Sequence, residues 1–498
     1  MYDARVNDYV ECDATELAAR VARGDLDPAT LVETAIAAVE RVEPRLNAIV
    51  HRMFEQARKA VADGLPAGPF RGVPMVVKDF DGFVKDVPFT ASCRFLDGFV
   101  PDHDSEAIAR LRRAGFVFLG KTNLPELGLL GTTEPEWRGP THNPWNLRHS
   151  PGGSSGGSAA MVAARAVPVG HGGDGGGSLR IPASHCDLVG LKPTRGRVTL
   201  GPDLGEGWAG YVTWGVVTRS VRDTAAVLDV MAGPMPGDPY AAPPLPRPLA
   251  KEVGADPGRL RIGTFAGSLF GRAVHPEVAD AATATATLLA GLGHHVEPAV
   301  PTFDRHALVR AYLTQVAVGT AAEIEIFERW RGRTATSADF EAPTWFLNQL
   351  GRKMTGVEVT LAGEAEQAAG RAMGRFHEQY DVLLCPPVAW PAPELGLLAL
   401  SNVQRTQLAI LRAAPLGVAL RKALDVLAEE SLERTPNTQL FNQTGQPAIS
   451  VPAGLTSDGL PIGVQLVAPL GREDVLVRLA SQIEVARPWK YRRPPVTA

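Results

Sequence analysis

Residues 150–184 read SPGGSSGGSAAMVAARAVPVGHGGDGGGSLRIPAS, two stretches crowded with Gly and Ser on either side of an apolar run. A flexible linker has no use for residues 159–169, AAMVAARAVPV, which are apolar enough to be buried. The pattern predicts two glycine-rich turns held against a helix and a strand. Glycine at such turns permits backbone angles and close approaches that a Cβ would block.

Working outward, RGVPMVVKDF (71–80) reads as a short buried strand that delivers Lys78 at its C-terminal edge. DSEAIARLRRAG (104–115) reads as a helix with Ser105 near its start, and FVFLGKT (116–122) as the next strand. This alternation predicts an α/β fold, a central parallel or mixed β-sheet covered by helices. Upstream, LDPATLVETAIAAVERV (26–42) has Asp27 as N-cap and Pro28 at the first helical position, with Leu31, Ala35, Val39 and Val42 on one face. Downstream, VRDTAAVLDVMAG is helical, and RLRIGTF, PEVADAATATATLLAGLG and HHVEPAV form a strand, helix, strand unit. Residues 302–434 read as mostly helical, interrupted by YDVLLCPPVAWP, and the tail closes with LPIGVQLVAP as a strand and a helix over 472–485. Residues 395–428, rich in Leu, Ala and Val, fit a pocket lid, an oligomer contact in a homodimer or an ordinary core helix.

Composition narrows the function. With 498 residues, 45% of them apolar and 21% charged, the chain has material for a large core. Its formal net charge of -4 gives no footing for nucleic acid or for a polybasic membrane contact. No run of about 18 apolar residues predicts a membrane span, and the first residues lack a signal-peptide pattern, so a cytoplasmic setting is expected. Cys12, Cys93, Cys186 and Cys385 are too scattered for a metal site and are expected as reduced, buried thiols.

Chemistry gathers in the glycine-rich turns. Ser154 lies within the run GGSSGG at 152–157, and Ser178 follows Gly175, Gly176 and Gly177. Successive backbone N–H groups in such a turn make a small positive concavity, suited to the oxyanion of a carbonyl under attack by Ser178. A serine hydroxyl needs a base within reach. His171 and His185 are candidates, and so is Lys78, since burial favours the neutral amine, with Asp79 opposing if its carboxylate approaches. Ser178 has no GxSxG surroundings, so the nucleophile-elbow fold has no support. Without HExxH, GxxxxGK[ST], a Cys/His cluster or a GxGxxG after a strand, neither metal nor organic cofactor is expected. His142, His149, His171 and His185 otherwise read as structural.

The segment from Lys78 to Arg197 resembles the amidase signature family, whose members carry a Ser-cis-Ser-Lys triad. The lysine matches Lys78 in GVPMVVKD, the bridging serine Ser154 in SPGGSSGGSAA, and the nucleophile Ser178 in GGDGGGSLRIPAS. The tail FNQTGQPAISVPAG and GLPIGVQLVAP is similar to the family as well. The resemblance implies a cis peptide before Ser154 and an oxyanion hole from the backbone of Gly175, Gly176, Gly177 and Ser178, with Asp174, Arg180 and Ser155 in support. It implies an N-terminal helical layer over 1–65, a signature core over 66–300, a mainly helical pocket-covering region over 301–435 and a return to the core over 436–498. Where relatives place Ser or Thr before the loop aspartate and Thr or Ile after it, this chain has Gly173 and Gly175.

The implied activity is hydrolysis of a small non-peptide carboxylic amide through an acyl-enzyme on Ser178. Within the family, TTEPEWRGPTHNPWN and GLKPTRGR look closest to hydrolases of the cyclic 6-aminohexanoate dimer, so a linear or cyclic aminohexanoate-type oligoamide is the expected substrate. Alternatives are an aryl or acyl amidase with esterase or carbamate activity, the amidase subunit of a glutamine-dependent tRNA amidotransferase, and a non-catalytic binding relative. Pocket walls are expected from 125–150, 302–350 and 395–445, with Trp137, Trp330, Trp345 and Phe441 as candidate apolar lining.

Overall fold

The computed structural model of the chain describes residues 8–399, 401, 404, 408, 420 and 434–498; most of the 395–428 segment, and with it the choice among lid, oligomer contact and core helix, lies outside them. At the N-terminal end, helix α1 (Ala14–Arg23) is capped by Asp13, whose side chain accepts from Glu16 N. Helix α2 (Pro28–Leu46) is capped by Asp27 and buries Leu31, Ala35, Val39 and Val42, so the expected cap and apolar face are both present.

Five buried residues make β2 (Pro74–Lys78), which follows β1 (Ile49–Arg52). Helix α3 (Glu106–Arg113) leads to β3 (Val117–Thr122). The quoted glycine-rich stretch becomes α4 (Gly156–Ala163) and β4 (Val169–Asp174), followed by the short α5 (Arg180–Cys186). Strands β5 (Val189–Lys192) and β6 (Thr213–Thr218) precede α6 (Val221–Met231). Next come β7 (Arg261–Thr264), α7 (Pro276–Gly291) and β8 (His295–Pro298). Three helices, α8 (Arg305–Arg331), α9 (Ala342–Gly351) and α10 (Gly356–Gln379), lead to β9 (Val382–Cys385). The chain ends through α11 (Gln439–Gln443), β10 (Ala448–Leu455), β11 (Pro461–Val467) and α12 (Glu473–Ala486).

Among the described residues eleven strands form one sheet in the order β1-β3-β2-β4-β6-β5-β10-β11-β9-β7-β8. β3, β2 and β4 run parallel, as do β9, β7 and β8, while the strands between pair antiparallel. The sheet is therefore mixed. The β7–α7–β8 unit is its far edge, joined through β9 with Ile262 opposite Val382. Because β2, β3 and β4 point the same way, their last residues Lys78, Thr122 and Asp174 share one edge, with Lys78 opposite Thr122. Sites in α/β sheets form at such carboxyl ends.

The tail is locked onto this core by charge as well as by apolar packing. Glu473, at the start of α12, accepts from Thr194 N at 2.9 Å and pairs with Arg197, both Nε–Oε1 and Nη2–Oε2 at 3.0 Å. Both side chains are buried. Removing one partner of such a pair strands the other charge in the interior, at a cost of about 3–5 kcal/mol. Glu473→Ala is accordingly expected to lower the urea midpoint sharply. The double variant Glu473→Leu with Arg197→Met is expected to recover most of that loss in the same titration.

Candidate active site

Lys78 leaves the end of β2 with its side chain buried, and its Nζ lies 2.9 Å from Ser154 Oγ. Ser154 sits just before α4, on a cis peptide to Gly153. The carboxylate beside the amine is that of Asp81, 2.5 Å away, and not that of Asp79. Successive side chains of an extended segment point to opposite faces. Asp79 turns away to Lys121, 3.5 Å distant, and accepts from Thr90 Oγ1, while Asp81 returns from the following turn.

Ser178 is half-buried and lines a pocket of about 500 Å³. The loop that presents it hangs on Asp174 at the end of β4. Asp174 Oδ1 accepts from Gly177 N at 2.7 Å and Oδ2 from Leu179 N at 3.2 Å. The same carboxylate takes Arg180 Nη2 at 2.9 Å and Nε at 3.0 Å, and Asn442 Nδ2 at 2.8 Å. Burial alone would push this carboxyl up, but Arg180 and the Asn442 amide more than offset it and hold it well below the usual carboxylate range. Arg180 also donates to Thr438 O, Gln465 Oε1 and Asn442 Oδ1 at 2.6–2.9 Å. Thr438, Asn442 and Gln465 escaped sequence reasoning as part of the site, although Asn442 lies in the quoted stretch FNQTGQPA and Gln465 in GLPIGVQLVAP.

One consequence concerns the expected oxyanion donors. Gly177 N–H is committed to Asp174, whereas Gly175, Gly176 and Ser178 N–H donate to no acceptor among the described residues. Gly176 O is fixed by Thr438 Oγ1 at 2.7 Å. Ser155 links the two glycine-rich turns, its N–H donating to Ser178 O and its Oγ to Gly173 O, each at 3.3 Å.

The unusual glycines make room for specific side chains. A Cβ on Gly173 would stand 2.4 Å from the carboxyl carbon of Asp81. A Cβ on Gly175 would press at 3.0 Å on the Trp208 ring, which also packs against Gly319 of α8. The Trp208 indole N–H faces Glu323, whose carboxyl is raised to about 8 by burial, with Asp81 adding to the rise.

Pocket walls come from 128–132, from Tyr312, Leu313, Val316 and Leu347 on α8 and α9, and from residues 390–399 and 434–439. Trp208 and Trp390 line it. The four aromatic residues singled out in the sequence lie elsewhere. Trp330 stacks on Phe99, Trp345 on Phe340, Trp137 sits under Arg138, and Phe441 is fully buried in a separate apolar cluster. Of the histidines, His185 reaches the pocket, His142 and His149 bond backbone carbonyls of Leu147 and Ala392, and His171 is buried against Trp214. Burial lowers His185 to about 4, and burial with Lys121 and Lys78 lowers His171 to about 3. The four cysteines are free and buried.

The sequence pattern of the amidase family matches residues 30–477. The chain is 42% identical over 489 residues to the 6-aminohexanoate-cyclic-dimer hydrolase of Pseudomonas sp. (strain NK87), covering 97% of this chain and 96% of that one. A solved 6-aminohexanoate cyclic dimer hydrolase complexed with substrate superposes with a TM-score of 0.90 at 40% identity, covering 98% of this chain and all of that one. A bacterial aryl acylamidase of the amidase signature family superposes with a TM-score of 0.83 at 26% identity, covering 98% and 99%.

Asp174 yields a test by pH. Its carboxyl is depressed in the folded state, so its stabilisation is complete above the unfolded carboxylate range near 4 and fades as the pH falls below it. Asp174→Asn is expected to cost about 3–5 kcal/mol at pH 7 by stranding Arg180. Measured by urea unfolding, the gap from the parent protein should narrow progressively below about pH 4.

Proposed function

The chain belongs to the amidase family and is an amidase acting on carbon–nitrogen bonds outside peptide bonds; on that premise we propose that Ser178 is its nucleophile and that Ser154 and Lys78 carry the proton. The observation that carries the assignment is the buried 2.9 Å contact between Lys78 Nζ and Ser154 Oγ behind a serine that opens on the pocket. Ser178 Oγ bonds to the amide carbon while its proton passes to Ser154 and that of Ser154 passes to the neutral amine of Lys78. The carbonyl π electrons move to oxygen, where Gly175, Gly176 and Ser178 N–H groups receive the charge. As the tetrahedral species collapses, the C–N bond breaks and the proton returns by the same route to the leaving nitrogen. Water then repeats the sequence on the acyl-enzyme.

For the substrate we favour a linear or cyclic oligoamide of the aminohexanoate type. The support is the 42% identity to the cyclic-dimer hydrolase and a pocket whose Leu129, Leu130, Leu313, Val316 and Leu347 suit a polymethylene chain. A second reading, an aryl amide, draws on Trp208 and Trp390 as flat walls for an aromatic leaving group.

A fluorophosphonate probe is expected to add mass on Ser178, and Ser178→Ala to abolish both labelling and hydrolysis; labelling that persists in the variant rules the nucleophile out. Rates measured side by side on the cyclic dimer, its linear counterpart and a series of anilides separate the two substrate readings. Trp208→Ala is expected to change the preference between small and bulky amides by about tenfold or more in kcat/KM, with acylation of Ser178 by the phosphonate retained.

A further inference from the structure

Asp81 belongs to no part of the relay proposed above, yet it lies closer to the Lys78 amine than Ser154 does. The two side chains meet at 2.5 Å with relative exposures of only 2% and 6%. Asp81 Oδ2 takes a hydrogen bond from no other group among the described residues. Behind it lies a mostly apolar cavity walled by Phe80, Phe83, Phe89, Trp214, Phe327 and Trp330, with Ser105, Asp203 and Glu323 its polar members and the Lys121 charge also facing Asp81, so a charge contact there is poorly screened. Gly173 provides the room. A Cβ there would stand 2.4 Å from the Asp81 carboxyl carbon and Oδ1, so residue 173 must lack a side chain for the carboxylate to sit where it does.

The other titratable groups around Lys78 are otherwise engaged. Asp79, from its own strand end, faces Lys121 of β3 and Thr90. His171 of β4 is held neutral by burial and by the two lysines. Glu323 of α8 is kept protonated near neutral pH by burial and by the charge of Asp81 itself. That leaves Asp81 as the carboxylate placed to answer a positive charge on Lys78.

We propose that Asp81 is a positioning residue for catalysis, aiming the Lys78 amine at Ser154 and stabilising the ammonium that forms when the proton arrives. The inference rests on the Ser178, Ser154 and Lys78 reading. Asp81 itself gains and loses no proton. When Ser178 Oγ bonds to the amide carbon, the net proton movement ends on Lys78 and is reversed as the C–N bond breaks, and Asp81 balances the charge in between. An opposite charge this close to a proton-accepting amine bears on the pH dependence of the activity as well as on the rate.

The test is the pH dependence of kcat/KM, measured on a hydrolysed anilide or oligoamide, for the parent protein, Asp81→Asn, Gly173→Ala and Lys78→Ala. Asp81→Asn keeps the shape and removes the charge. It is expected to move the acidic limb to lower pH by about one unit or more, as loss of an opposite charge within 4–6 Å requires, and to lower the plateau kcat about 10- to 100-fold. Gly173→Ala keeps Asp81 but pushes its carboxylate aside, and should move the limb in the same direction. It also decides the matter should Asp81→Asn fail to fold by circular dichroism. A limb that stays in place in the folded variants overturns the inference, whatever happens to kcat, because a packing role alone does not move it. Lys78→Ala separates the two levels of argument. If the limb vanishes there but is unmoved by the Asp81 and Gly173 changes, this inference alone falls; if it persists there, the relay falls and the inference with it.

Discussion

The ion pair between Asp174 and Arg180, with both side chains fully buried, is the constraint on which the rest of the site depends. It joins the end of β4 to the first residue of α5, and through Arg180 it reaches Thr438, Asn442 and Gln465, residues 258 to 285 positions downstream. A buried ion pair is no guarantee of stability, since well-packed apolar residues often serve as well. Its value here is geometric. One carboxylate takes two backbone N–H groups, a guanidinium and an amide at once, and each bond removes a way in which a run of three glycines could rearrange. A loop that would be floppy by composition is thereby fixed by a charge it wraps around, with Gly177 and Leu179 N–H committed to it and Gly175, Gly176 and Ser178 N–H left without an acceptor among the described residues.

Around that fixed loop, glycine acts by the space it leaves. Gly173 admits the Asp81 carboxylate and Gly175 admits the Trp208 ring, so two positions that look like losses are each occupied from elsewhere in the chain. The vacated volume is filled, once by a charge next to Lys78 and once by an aromatic wall next to Ser178. Tyr312, whose hydroxyl oxygen lies 2.2 Å from where a Cβ on Gly176 would stand, follows the same rule.

The parts of this arrangement that the sequence disclosed were those encoded locally. The strand ending at Lys78, the Asp27 cap and the helix and strand between the glycine-rich turns are set by residues within a few positions of one another, and the structure has them in place. Strands β5 and β6 were not read as strands, because VGLK and TWGVVT are short and their burial on both faces leaves no alternation to read. Much of the pocket lining falls in the expected stretches 125–150, 302–350 and 395–445, but which residues meet there was hidden for a different reason. Trp208, Tyr312, Trp390 and Arg434 meet there from four distant segments, and no spacing within a segment announces such a meeting. Tryptophans that looked suitable, such as Trp330, instead complete aromatic clusters begun by Phe83, Phe89 and Phe99. Asp81 was visible three residues after Lys78, but it takes the turn geometry, and the alternation that sends Asp79 the other way, to show which carboxylate approaches.

The depth at which these groups lie bears on how the proposed chemistry and the pocket divide their work. Lys78, Ser154 and Asp81 are buried, and Ser178 alone of the four lines the pocket. On that proposal a substrate meets the Ser178 hydroxyl and not the charges, which, being buried, act on one another more strongly than at a surface. On the proposed relay, an amide with long apolar arms lies along the Leu, Val and Trp walls apart from Lys78, Ser154 and Asp81, none of which lines the pocket. Selectivity can accordingly change through Trp208, Val316 or Leu347 while the sequence around Lys78, Ser154 and Ser178 stays as it is. Gly173 and Gly175 are the points where these two layers touch, since one seats the Asp81 carboxylate beside Lys78 and the other the Trp208 wall of the pocket.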